Sequence, residues 1–310
     1  MTSAAGLSDN GRAALFMTAS MSMFAVEDAF IKTLTQAMPV WQLLATTGLV
    51  AMCVFWARMA RRRQRLWTRA LLHPMVALRN FGEVVGALSF VTALAVGELA
   101  STSAILQVLP LTLVLGAALF LGEKVGWRRW ASVVVGFAGV LLILRPGTGA
   151  FQPAMLWALL GVAGLTLRDL ATRRIPAGVP SDQLSASAYG AMVPGGLVLG
   201  LVSGQAVVAP DLAQLGLLGG TVIFGVLGYA TLVAASRLGE ASVVAPFRYT
   251  RLGFALLVAA VVFGERPDLP MLAGAGMIAL AGGYAMWREA RMRRSPDAKP
   301  VDGLIRPAPR

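Results

Sequence analysis

Apolar stretches long enough to cross a membrane recur along the whole chain of 310 residues. A helix of about twenty apolar residues spans the hydrocarbon core, and in lipid a helix is needed because every backbone polar group must be hydrogen-bonded within the chain. Ten such runs lie between short polar, glycine or proline breaks, at about 13–35, 39–58, 73–96, 101–121, 127–145, 153–172, 183–203, 213–236, 242–263 and 269–288. The sequence predicts an all-α polytopic membrane protein with ten transmembrane helices.

Composition excludes several other classes of protein. Hydrophobic residues make up 57% of the chain and charged residues 14%, whereas a soluble domain has about a quarter charged. The net charge of +12 does not indicate nucleic-acid binding, since most basic residues lie in short loops and the tail, where they orient membrane proteins. One cysteine, Cys53, and one histidine, His73, give no basis for a disulfide, a metal site or a redox cofactor.

The same loops predict the orientation. If the N-terminus is cytoplasmic, nearly all loop arginines and lysines lie inside, and the outside loops hold only Arg145 and Arg266. This asymmetry places both termini in the cytoplasm. Residues 1–12 then form a cytoplasmic N-terminus, and the polar, proline-rich residues 289–310 are predicted to be a disordered cytoplasmic tail.

An internal repeat divides the ten spans. The dipeptide Gly-Glu occurs at 97–98 and 122–123, and again 142 positions later at 239–240 and 264–265. This spacing predicts two related halves, residues 13–145 and 153–288. Each half has five spans, an odd number, so the halves enter the membrane from opposite sides. Inverted repeats are typical of secondary transporters, although a duplication with a purely structural outcome would leave the same pattern.

The Gly-Glu corners after spans 4 and 9, with "GFAGVLLIL" (136–144) and "GMIALAGGYAM" (276–286) after them, resemble the EamA type of the drug/metabolite transporter superfamily. The resemblance implies a bacterial inner-membrane carrier that moves a small metabolite without hydrolysing a nucleotide. "FAVEDAFIK" (24–32) is similar to riboflavin-transporter-like members. The first candidate substrate is therefore a planar vitamin such as riboflavin.

Other functions remain open at this point. Export of amino acids, their derivatives or drugs is the main alternative, and an intramembrane enzyme or a channel is a remote one. No phosphate-binding glycine loop and no nucleophile with a partner base is visible in the sequence. We therefore expect no catalytic residues, no cofactor and no enzyme activity. The predicted partners are the solute, the lipid bilayer and protons as the coupling ion.

Ionisable side chains inside the predicted spans are costly in lipid and usually face a cavity or one another. Three acid–base pairs have i,i+4 spacing, which places both groups on one helix face: Asp28 with Lys32, Glu83 with Arg79, and Asp169 with Arg173. The first and third pairs are 141 positions apart. We expect these pairs, together with Arg168, to serve opposite gates or the coupling of transport. Alternatively, Lys32 and Arg173 only extend to the interfaces, a behaviour called snorkelling.

The remaining deep polar side chains are candidate substrate contacts. Arg248 and Arg251 follow Pro246 in span 9, and guanidinium groups bind carboxylate or phosphate and stack on planar rings. Glu27 is a partner for Arg251 or a proton site. The full set of predicted substrate contacts is Phe24, Glu27, Tyr229, Arg248, Tyr249 and Arg251.

Overall fold

The computed structural model describes residues 9–65, 67–123, 125–149, 151–176 and 179–293. Within these ranges the regular secondary structure is helical and no strand occurs. Ten helical segments are long and apolar enough to cross a membrane. The predicted fold class is confirmed, and the chain is an all-α, multi-pass membrane protein.

Twelve α-helices build the ten spans. The first half contains α1 Asp9–Thr35, α2 Val40–Arg61, α3 Pro74–Val96, α4 Leu99–Leu106, α5 Leu109–Phe120 and α6 Trp127–Leu144. The second half contains α7 Ala154–Thr172, α8 Ser181–Ser203, α9 Leu212–Leu238, α10 Ala241–Val244, α11 Thr250–Phe263 and α12 Leu269–Arg293. Two short 3-10 helices, Arg69–Leu72 and Ala245–Tyr249, precede α3 and α11.

The two chain ends correct the predicted boundaries. α1 begins at Asp9 rather than near residue 13. α12 continues to Arg293, so the prediction of disorder from residue 289 is wrong for its first residues. The segment "WREARMR" (287–293) contains strong helix formers that extend the helix beyond its apolar part. Residues 1–8 and 294–310, on which the rest of the terminal predictions fall, lie outside the described residues.

Spans 4 and 9 are each broken near the middle. Span 4 divides into α4 and α5 at Gln107–Val108, and span 9 contains the 3-10 helix Ala245–Tyr249 between α10 and α11. Pro110 lies in the first turn of α5 and Pro246 in the first turn of the 3-10 helix, where a missing N–H costs nothing. The break at 107–108 corresponds, 142 positions later, to the end of the 3-10 helix at Tyr249, so both halves are interrupted at nearly the same place.

Helix packing follows the pattern expected of two related halves. α1 packs along α9, and α3 packs along α7. α7 is the counterpart of α1 in the other half, and α3 is the counterpart of α9, so exchanging the halves converts the pair α1 with α9 into the pair α7 with α3. The same exchange leaves the pairs α2 with α8 and α6 with α12 unchanged, and both are present. These pairings support the predicted division at 13–145 and 153–288, which stays a prediction.

Small residues allow the closest of these contacts. A Cβ added to Gly164 of α7 would lie 2.5 Å from the backbone nitrogen of Gly86 in α3. A Cβ on Gly274 of α12 would lie 2.5 Å from the carbonyl oxygen of Gly139 in α6. Helix association in lipid relies on such close backbone approach, because burial of apolar surface gives no advantage over contact with lipid.

Candidate functional site

Lys32 and Glu265 form a buried ion pair at one end of the helix bundle. The Nζ of Lys32 lies 2.7 Å from Oε1 of Glu265 and donates to the carbonyl oxygen of Gly97 at 2.8 Å. The carboxylate also accepts from the backbone N–H groups of Leu99 and Ala100, at 2.8 and 2.9 Å. Each charged side chain is 10% exposed. This buried end pair joins α1, the start of α4 and the end of α11.

The equivalent pair at the other end is open. Arg173 donates to Oε1 of Glu123 at 3.2 Å, and the two side chains are 45% and 46% exposed. Arg173 is the repeat counterpart of Lys32, and Glu123 is the counterpart of Glu265. Equivalent ion pairs therefore occur at both ends of the bundle. Lys32 with Glu265, the buried end pair, is shielded from solvent, whereas the pair at the other end is not. We refer to Arg173 with Glu123 as the exposed end pair.

A groove next to the exposed end pair separates helices of the first and second halves. It has a volume of about 620 Å³ and is lined mainly by apolar side chains of α5 and α7. Arg174 lies among the lining residues, directly after Arg173. An apolar groove between α5 and α7 therefore reaches the end of the bundle that carries the exposed end pair.

Asp28 bonds to Arg251 rather than to Lys32. The guanidinium of Arg251 donates to both carboxylate oxygens of Asp28, with distances from 2.8 to 3.2 Å. Asp28 is buried, and the Arg251 guanidinium lies 5.4 Å from the ring centre of Phe24. The predicted pairing of Asp28 with Lys32 is wrong, as is the suggested pairing of Glu27 with Arg251. An inter-helix bidentate contact is stronger than an i,i+4 contact along one helix.

A second charged cluster links α3 and α7. Arg168 donates to Glu83 at 3.2 Å and to Asp169 at 2.6 Å. Arg79 lies 3.8 Å from Glu83, so this predicted i,i+4 pair forms. The predicted pairing of Asp169 with Arg173 is wrong, since Asp169 bonds to its neighbour Arg168 and Arg173 reaches Glu123.

The side chains of Glu27 and Arg248 have no hydrogen-bond or ion-pair partner among the described residues. The carboxyl group of Glu27 faces Gly225 of α9, where an added Cβ would lie 2.6 Å from Oε1. The side chain of Arg248 is exposed, and it interacts electrostatically with Asp169 and Arg168 of α7. Neither side chain is therefore neutralised through a hydrogen bond or an ion pair of its own.

The repeat makes the position of Glu27 informative. Its counterpart is Arg168, and the counterpart of Gly225 is Glu83. At the contact between α3 and α7 the two facing positions hold an ion pair, Arg168 with Glu83. At the equivalent contact between α1 and α9 they hold a carboxyl group and a glycine. The two equivalent contacts between the halves therefore differ in charge.

Aromatic rings lie beside this contact. Tyr189 stacks on Phe55 with ring centres 5.7 Å apart, and Tyr229 packs edge-on against Phe55 at 6.0 Å. Tyr189 interacts electrostatically with Glu27 on one side and with Arg168 on the other. Tyr229 thus lies near the predicted site.

Tyr249 lies elsewhere. Its hydroxyl group is buried without a hydrogen-bond partner among the described residues. It packs closely against Gly282 of α12. This predicted substrate contact, the last residue of the 3-10 helix, therefore faces α12.

Four residues of these clusters were not among the predicted site residues: Phe55, Glu123, Tyr189 and Glu265. The two glutamates are the acidic residues of the repeated Gly-Glu corners at 122–123 and 264–265. That repeat was a signal for their equivalence, but the pairing of each with a basic residue of the other half depends on how the halves dock. Tyr189 and Phe55 carry no comparable signal.

Comparisons with known proteins agree with this architecture. The model of the EamA-like transporter family matches residues 11–145. A solved crystal structure superposes with a TM-score of 0.62 at 19% identity, covering 88% of this chain and 97% of the other, which shows a shared fold.

Curated relatives are bacterial transporters. The chain is 28% identical over 224 residues to an S-adenosylmethionine uptake transporter of Rickettsia felis, covering 72% of this chain and 74% of the relative. It is 30% identical over 217 residues to a riboflavin transporter of Rhizobium johnstonii, covering 68% and 70%. It is 27% identical over 192 residues to a riboflavin transporter of Vibrio cholerae, covering 62% and 64%. The resemblance seen in the sequence is thereby confirmed, and the chain belongs to the EamA-like transporter family of the drug/metabolite transporter superfamily.

Proposed function

We propose that the protein is a secondary transporter that carries a small metabolite across the inner membrane of a bacterium by alternating access, without changing the solute covalently. The observation that supports this most directly is the ion pair repeated at both ends, buried in Lys32 and Glu265 and exposed in Arg173 and Glu123. Two equivalent closures in opposite states are what an alternating carrier requires.

The proposed cycle exchanges the states of the two end pairs. When the end near Glu265 opens, Lys32 separates from Glu265, and the N–H groups at the start of α4 lose their hydrogen bonds to the Glu265 carboxylate. Closing the other end buries Arg173 and Glu123 between the halves. With both termini in the cytoplasm, as the loop charges predict, the exposed end pair faces the cytoplasm. The structure then corresponds to an inward-facing carrier.

The proposed substrate has a planar heteroaromatic ring. Riboflavin and S-adenosylmethionine are the solutes named for the relatives, and both join such a ring to a hydroxylated chain or sugar. Tyr189 and Tyr229, grouped around Phe55, offer ring faces and hydroxyl groups for solutes of this kind. Amino acids, their derivatives and drugs, moved outward, are the alternative cargo.

Protons are the proposed coupling ion, with Glu27 as their site. Asp28 is held by Arg251, whereas Glu27 has no partner among the described residues. Ionisation of an unpartnered carboxyl group at this depth is costly, so binding of a proton there is favourable. Transport should therefore respond to an imposed pH gradient, and Glu27→Gln should abolish that response. Uptake that ignores the gradient in the unaltered protein would exclude this coupling.

Transport in proteoliposomes tests the proposed function. Purified protein is reconstituted and incubated with radiolabelled riboflavin or S-adenosylmethionine, with protein-free liposomes as the control. We expect saturable uptake that is accelerated when unlabelled solute is loaded on the opposite side, because a carrier exchanges solute faster than it returns empty. Non-saturable flux would indicate a channel, and chemical change of the recovered solute would indicate an enzyme.

A further inference from the structure

We infer that the transported solute carries both a positive and a negative group, and that Glu27 and Arg248 are the side chains that bind them. The inference rests on the proposed transport function and adds to it the charge of the cargo. It follows from a comparison of the charged side chains inside the spans that pair with one another and those that do not.

The ionisable side chains within the spans between the end pairs balance in number. They comprise four acids and four bases, Glu27, Asp28, Glu83, Asp169, Arg79, Arg168, Arg248 and Arg251. Asp28 is satisfied by Arg251, and the other paired groups form the cluster around Arg168. Among the described residues, the carboxyl group of Glu27 and the guanidinium of Arg248 remain without an ion-pair partner. A solute with one cationic and one anionic group would supply a partner for each of them.

The surroundings of Glu27 favour a cation. Its carboxyl group lies against Gly225 of α9, a position that has no side chain to bond with it. The neighbouring Asp28 is already bonded to Arg251, so Glu27 is the carboxyl group of the two that is left to bind a cation. Tyr189 lies within electrostatic range, and the face of an aromatic ring attracts cations. An ammonium or sulfonium group matches this subsite once Glu27 has released the proton proposed above, so the proton and the solute cation bind there in turn.

The surroundings of Arg248 favour an anion. The residue lies in the 3-10 helix Ala245–Tyr249, and its backbone carbonyl accepts from the amide of Gln107 at 3.4 Å. The exposed side chain interacts electrostatically with Asp169 and Arg168. Since Asp169 is already bonded to Arg168, the donors of Arg248 remain available. A carboxylate would accept two of them in parallel.

The two subsites belong to different halves of the molecule. Glu27 is on α1 and Arg248 precedes α11. The elements that hold them are neighbours, because α1 packs against the 3-10 helix Ala245–Tyr249 and against α11. A solute bound at both subsites would therefore contact both halves. Adenosyl amino acids combine a planar ring with both charges, whereas riboflavin is neutral.

Ligand analogues test the inference on the unaltered protein. Binding to purified protein is measured for S-adenosylmethionine, its carboxyl methyl ester, 5′-methylthioadenosine, which lacks the charged amino-acid part, and riboflavin. We expect S-adenosylmethionine to bind about tenfold or more tighter than the methyl ester or methylthioadenosine, because each analogue lacks at least one of the two charges that the subsites bind. Riboflavin binding that is equal or tighter would overturn the inference.

Two variants locate the charges. Arg248→Gln should weaken binding of S-adenosylmethionine about tenfold but leave the methyl ester unaffected, because that ester no longer has the group that Arg248 binds. Glu27→Gln should weaken S-adenosylmethionine and the ester but leave methylthioadenosine unaffected. Equal losses for all ligands in both variants would contradict the assignment.

Controls separate this inference from the proposed function. Arg266→Gln and Glu98→Gln remove exposed charges of the same types and should change no affinity. If a variant fails to fold, the analogue series on the unaltered protein still decides the question. Saturable transport of a neutral solute alone would overturn the charge assignment while leaving the transporter proposal intact. Absence of transport for every solute, with folded protein, would overturn the transporter proposal itself.

Discussion

Lys32 and Arg173 occupy equivalent positions in the two halves, yet Lys32 is nearly buried against Glu265 and Arg173 is half exposed against Glu123. The difference in exposure is the clearest departure from symmetry between the two ends. It makes the buried end pair the contact whose loss should alter the conformational state most.

Glu265→Gln should open the end that Lys32 and Glu265 close. The substitution leaves Lys32 with a buried charge and weakens the acceptor for two N–H groups of α4, and breaking a buried pair typically costs about 3–5 kcal/mol. Ser101 of α4 is buried near this end. In a protein with Cys53→Ser and Ser101→Cys, labelling by a water-soluble maleimide should accelerate severalfold on adding Glu265→Gln. The neighbouring exposed change Arg266→Gln should have no effect, and equal labelling rates for both would refute the assignment.

The Asp28–Arg251 contact should couple strongly in thermal stability. Removing either partner leaves a desolvated charge, whereas removing both leaves none. Asp28→Asn with Arg251→Met should therefore be more stable than the sum of the single changes predicts, by about 1 kcal/mol or more. Thermal unfolding in detergent measures the cycle.

The exposed pair Asp9–Arg12, 3.8 Å apart, is the matched control and should show coupling near zero. Comparable coupling in both cycles would mean that burial of Asp28 contributes nothing.

The contact between Arg145 and Asp268 should make stability depend on acid pH. The hydrogen bond from Arg145, and then the backbone N–H of Met271, hold the pKa of Asp268 below its ordinary value. A depressed pKa in the folded state gives stability that is present above the unfolded-state pKa and is lost as pH falls through the folded-state pKa. The difference in Tm between the unaltered protein and Asp268→Asn should be constant near neutrality and shrink below about pH 4. Arg145→Met should remove most of the same pH-dependent part, and a difference that grows in acid would contradict the sign.

Gly225→Ala should impair transport with little effect on folding. The added methyl group would lie 2.6 Å from Oε1 of Glu27, and the end of that flexible side chain must move away. Expression and Tm should stay close to those of the unaltered protein, while the rate of uptake falls severalfold. Gly219 is on the same helix and has nothing within 4 Å, so Gly219→Ala should retain full uptake. Equal activity of the two variants would show that the position of the Glu27 carboxyl group is unimportant.

The span arrangement was predictable because it depends on a local property. Each helix must hydrogen-bond its own backbone in lipid, so length and hydropathy locate it. The contacts of Asp28 were not predictable in the same way. Its partner Arg251 is 223 positions away in the chain, and the i,i+4 neighbour Lys32 bonds to Glu265, 233 positions away. Spacing along one helix cannot identify such partners, since an i,i+4 contact contributes only about 0.2–0.5 kcal/mol.

The contrast between Glu27 facing Gly225 and Arg168 facing Glu83 has an evolutionary consequence. After a duplication, the contact between α1 and α9 can change as long as the equivalent contact between α3 and α7 still holds its helices together. A single codon at position 225 then decides whether the carboxyl group opposite is neutralised by the protein or left for the cargo. We expect carriers of this architecture to acquire new solutes by substitution at this one position, with the rest of the bundle unchanged.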